Sequence, residues 1–102
     1  MEAYFSEFAK NELDDAVDYL ELEYEGLGRR FKAEVESAVQ RILRYPLAWS
    51  VERGSVRKCL VHTFPYKILY SIEVDHIFVI AVAHQHRRPN YWIDRLDDPM
   101  QS

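Results

Sequence analysis

Three features of the 102-residue chain predict an α+β fold: a short N-terminal strand, then an antiparallel two-helix hairpin packed on a small antiparallel β-sheet. Apolar residues recur at three- and four-residue spacing as far as Leu43, and the period changes to alternation from Val56 onward. Gly26 and Gly28 break the helical half, while Phe64-Pro65 and Asp75-His76 break the alternating half. The run "IFVIAVA", Ile77 to Ala83, is apolar on both faces and therefore belongs at the centre of the sheet.

Each element follows in order. Ala3 to Phe5 is a short extended start, and Ser6 is a helix N-cap. Phe8, Leu13, Ala16, Val17, Leu20, Tyr24 and Leu27 then form one apolar stripe. The acids Glu12, Asp14, Asp15, Asp18, Glu21, Glu23 and Glu25 fill the other face and read as a solvated surface. Gly26 and Gly28 supply the stop and the turn. A second stripe runs Phe31, Val35, Ala38, Val39, Ile42 and Leu43 until Pro46 ends it. So short a joint makes the helices an antiparallel pair. Val56, Leu60 and Phe64 alternate with Arg57 and Thr63, and Tyr66, Ile68, Tyr70, Ile72 and Val74 with Lys67, Ser71 and Glu73. The aromatic and aliphatic set should face the helices, with Lys67, Leu69, Ser71, Glu73 and also Arg57 on the opposite, open face. Ile77 to Ala83 should be the most buried strand, with the C-terminal tail or loops over part of its second side. The expected order is β(αα)βββ.

The length suits one compact domain, residues 1–102. No apolar run approaches the ~20 residues of a membrane span, and the N-terminus has no signal-peptide pattern, so a cytoplasmic protein without membrane association is expected. Cys59 is the single cysteine, which fits a reducing compartment and a small strand side chain. The net charge of −4 is unevenly spread. Residues 1–50 hold eleven acids and six bases; residues 51–102 hold six and seven. Between residues 53 and 92, Arg53, Arg57, Lys58, Lys67, Arg87 and Arg88 face only Glu73 and Asp75, a locally basic strand half.

The chemistry-bearing groups gather in "HQHRRPNYW", His84 to Trp92. If this stretch leaves the end of the central strand, His84, His86, Arg87, Arg88 and Tyr91 would converge with Arg57 and Lys67 over one sheet face. Arginine forks match phosphate oxygens, and His or Tyr beside a scissile bond can act as acid or base, so the set suits metal-free RNA cleavage. Tyr91 and Trp92 are first of all packing groups that anchor the tail. The two-residue spacing of His84 and His86 puts both on one strand face, but no Cys or carboxylate stands close in sequence. No metal site is assigned and no cofactor is called for.

The segments "GLGRRFKAEVESAVQRI", "VRKCLVHTFPYKILYSI" and "VIAVAHQHRRPNYW", in this order, resemble the RelE/ParE superfamily of toxins from bacterial type II toxin–antitoxin operons, often labelled plasmid stabilisation proteins. The resemblance runs from Tyr4 to Arg95. It implies the α+β fold above and a growth-inhibiting toxin held inactive by a cognate antitoxin protein.

Two targets divide that superfamily. RelE-like members are ribosome-dependent endoribonucleases that cleave mRNA; by resemblance Arg57, Arg87 or Arg88, and Tyr91 would be the catalytic set, while the convergence of residues read above makes Lys67, His84, His86 and Arg88 binding groups for either target. ParE-like members have no recognised nuclease site and poison DNA gyrase. An acidic chain of pI ≈ 5.5, with only Lys58 and Lys67 as lysines in its strand half, departs from the basic ribosome-dependent nucleases. The reading is therefore a ParE-like toxin acting on gyrase, with the mRNA nuclease and a non-toxic antitoxin-binding module as alternatives. Whether the chain is an enzyme turns on that choice.

Overall fold

The computed structural model of the chain describes residues 1–97; residues 98–102 of the expected domain lie outside the described residues. Strand β1 (Glu2–Phe5) leads into helix α1 (Glu7–Glu23) and helix α2 (Leu27–Arg44). Strands β2 (Val51–Arg53), β3 (Val56–Leu60), β4 (Tyr66–Ile72) and β5 (His76–His84) follow, then a 3₁₀ segment over Ile93–Asp97. The sheet order is β1-β5-β4-β3-β2. The fold class is the α+β arrangement expected, with β5 inside the sheet. Consecutive strands from β2 to β5 pair antiparallel, whereas β1 lies parallel to β5, so the sheet is mixed.

Ser6 caps α1 by accepting from the Ala9 N–H at 3.0 Å, and its hydroxyl donates to the Ile80 carbonyl. The cap thus also ties the helix start to the central strand. Gly26, at φ +87°, supplies the left-handed turn between the helices, as expected. Gly28 does not: it lies inside α2, where a Cβ would stand 2.3 Å from the Val17 carbonyl oxygen. Its missing side chain lets the two helices cross closely. Glu21 accepts the N–H groups of Gly26 and Gly28, at 2.7 and 3.0 Å, and so holds the joint; the Gly26 bond draws its carboxyl below the ordinary range.

Strand β2 was not expected. Only three residues long, it pairs with β3 across a tight turn at Gly54, φ +56°, and three residues carry no readable alternation. The expected facing of β3 and β4 also changes. Cys59, not Leu60, enters the helix-side core, and Leu60 is exposed. Tyr66, Ile68 and Tyr70 do face the helices, but Ile72 and Val74 project beyond the cover that α1 and α2 provide and are exposed.

The second face is not open. Leu69 there is fully buried, together with Val56, Ile80, Ala81 and Trp92. Ile80 is the extra residue of a bulge, since Leu69 pairs with Ala81 and Tyr70 with Val79. The bulge puts Ile80 and Ala81 against Trp92 while returning Val79 and Val82 to the helix side. Trp92 is 1% exposed and seals this second cluster, as the expected anchoring of the tail requires.

Candidate functional site

Glu12 organises the exit of β5. It sits on α1 between Phe8 and Ala16, one turn from each, which turns its carboxylate toward the sheet rather than the solvent. Its Oε1 accepts from the Val82 N–H at 3.0 Å and from Arg95 at 2.8 Å; its Oε2 accepts from the Tyr91 hydroxyl at 2.6 Å and from Arg95 at 2.9 Å. Four donors fill the acceptor positions of one carboxylate. Arg95 reaches further, donating to the Ile80 carbonyl beside the bulge, which also accepts from the Ser6 hydroxyl. Burial alone would lower the Arg95 guanidinium, but the paired Glu12 carboxylate raises it. Glu12 was grouped with the solvated acids; its place between Phe8 and Ala16 was the signal that set it apart.

Tyr91 is held on every side. Arg87 lies 4.1 Å from its ring centre and Arg95 4.9 Å, one cation–π partner each. Burial, then the hydrogen bond to Glu12, drives its hydroxyl well above the usual tyrosine range. A phenol that keeps its proton so firmly, with its oxygen donating to a saturated carboxylate, is badly placed to serve as a base.

The other predicted groups separate. Arg57 pairs across from Tyr70, on the helix side of the sheet, and donates to the carbonyls of Trp49 at 2.6 Å and Leu47 at 3.4 Å. It fastens the connection between α2 and β2. Tyr70 fastens the same connection by donating to Pro46, and burial pushes its hydroxyl up to about 12. Lys67 alternates with Ile68 onto the other face, where it pairs with Glu52 at 3.2 Å. Arg57 and Lys67 therefore lie on opposite faces, and the expected single surface does not form.

Two members do come together. His84 pairs across from Tyr66 on the helix side, the two rings edge to face at 5.1 Å. With Tyr19, Asp15 and Arg87 they line a cleft of about 260 Å³ between α1 and the end of β5. His84 Nδ1 accepts from the His86 N–H, which leaves the proton of the neutral ring on Nε2, and the His86 ring lies 5.2 Å away, tilted by 35°. Arg88 is exposed, its carbonyl accepting from Tyr91 N–H. Among the described residues no three His, Cys, Asp or Glu side chains gather in a way that could hold a metal ion. Nor is any described helix long and apolar enough to cross a membrane.

The family model described as the ParE toxin of the type II toxin–antitoxin system parDE matches residues 4–89. The chain belongs to the ParE toxin family. Among solved structures, a chain of the chromosomal ParDE toxin–antitoxin system from P. aeruginosa superposes on it with a TM-score of 0.67. That likeness covers 82% of this chain and 95% of the other at 16% identity. Identity so low speaks for a shared fold. No curated protein matches the chain. Tyr91, Trp92 and Arg95 lie beyond the stretch matched by the ParE family model.

Proposed function

We propose that this ParE-family chain is a toxin that arrests growth by acting on DNA gyrase, without nuclease chemistry, and that a cognate antitoxin protein neutralises it. One observation carries the reading: the groups a phosphodiester-cleaving site would need are engaged elsewhere. Arg57 is spent on two backbone carbonyls, Lys67 on Glu52, and Tyr91 on Glu12. Placement in the ParE family supports the same choice. The test is supercoiled DNA incubated with purified gyrase and the chain, then treated with detergent and protease. Linear DNA should accumulate in proportion to the chain added. Absence of both linear DNA and inhibited supercoiling would sink the gyrase target. Production of the chain alone should stop bacterial growth, and production with the protein encoded beside it should restore growth.

The mRNA nuclease keeps one support, since His84 and Arg87 open into the same cleft. On that reading, transcripts on translating ribosomes would be cut, and His84→Ala or Arg87→Ala would abolish the cutting. Intact transcripts in the presence of active toxin remove it.

A further inference from the structure

The acidic balance of the chain reverses at the end of α2, away from the β5 exit. Arg41 and Arg44 stand in the last turn of α2, and the chain then runs through Tyr45 and Trp49 to β2 and β3. Two clefts, of about 430 and 320 Å³, share Trp49 as a wall. Arg41 and Arg44 line the first together with Tyr45, and Lys58 and His62 line the second. Among the described residues no carboxylate lines either cleft, in a chain whose net charge is −4. Lys58 does approach Glu52 at 3.7 Å, but Lys67 holds that carboxylate at 3.2 Å, and the trio keeps one positive charge in excess.

Acceptors are short here as well. The carbonyls of Leu47 and Trp49 are taken by Arg57, and that of Leu60 by Arg41. Arg41 Nε and Trp49 Nε1 are shut off from water with no acceptor among the described residues. Donors and positive charge in surplus, around an exposed tyrosine ring, call for an anion that carries flat groups.

We propose that this double cleft binds single-stranded nucleic acid, with Arg44, Lys58 and His62 on phosphate oxygens and Tyr45 as a stacking face. Arg41 positions the wall from α2. An acidic peptide would match the charge but make no use of the aromatic surface set among the cations, which favours the nucleotide strand. The inference does not depend on the toxin's target.

The test is fluorescence anisotropy of a labelled single-stranded oligonucleotide with the full chain. The two cations Arg44 and Lys58 set a log–log salt slope of about −1.4, so affinity should fall about fivefold between 50 and 150 mM salt. The double variant Arg44→Glu with Lys58→Glu should bind at least tenfold more weakly. Arg30→Glu, one of the same charge reversals at the far end of α2, should change binding less than twofold. Circular dichroism checks folding, and Arg44→Gln with Lys58→Gln replaces the reversal pair if that pair unfolds. Any one of three results overturns the proposal: no binding by the unaltered chain at 50 mM salt, an equal loss in Arg30→Glu, or displacement by poly-glutamate as effective, charge for charge, as by unlabelled oligonucleotide.

Discussion

Glu12 shows how one side chain can decide what its neighbours do. Its carboxylate is mostly buried and takes four hydrogen bonds, from α1's side of the sheet to the 3₁₀ turn of the tail. Removing one partner strands the others, because a buried charge without its counter-ion is costly. Glu12→Ala and Arg95→Ala should each lower stability by ~3 kcal/mol, with the double variant well short of the sum; urea denaturation of the three proteins measures it. Tyr70 carries a pH dependence. Its folded hydroxyl titrates at about 12 and an unfolded tyrosine near ~10. The unfolded chain therefore loses this proton first, and stability present below pH ~10 is lost as the pH rises toward about 12. Urea midpoints across that window should fall, and fall less steeply in Tyr70→Phe; equal slopes would remove Tyr70 as the cause.

At the scale of elements, the helix hairpin depends on a contact that has nothing to do with turn chemistry. Gly28 is buried where α2 meets the Val17 carbonyl of α1, and a methyl group there has no room. Gly28→Ala should cost about 1–3 kcal/mol through separation of the helices, despite alanine's better helix propensity; a thermal melt that rises instead would contradict the close crossing. Both helices, the Ser6 cap and strands β3 to β5 were legible from apolar spacing, because burial of one stripe or one face imposes a period. β2 was not, being too short to show one. The β5 bulge escaped as well, since "IFVIAVA" is apolar throughout and nothing in it marks which residue is extra. From that single unmarked residue follows the partition of Ile80 and Ala81 to the second cluster.

The whole molecule is a sheet covered on both sides by unequal means: two helices on one, and on the other a short tail closed by Trp92. So small a second core leans heavily on its largest member. Trp92→Ala should destabilise by ~3–5 kcal/mol and open the second face to an apolar dye, readable as a lower urea midpoint and increased dye fluorescence. The sequence by itself determined the α+β class, the helical hairpin, the antiparallel run of strands and the resemblance to the toxin superfamily, because these rest on periodicity and order along the chain. Only the tertiary structure decided which charged groups meet. Arg57 and Lys67 lie ten residues apart on adjacent strands yet face opposite sides, while Glu12 meets Tyr91 and Arg95, 79 and 83 residues further along the chain, through three hydrogen bonds. Register and bulge set those meetings, and neither leaves a mark in the order of the amino acids.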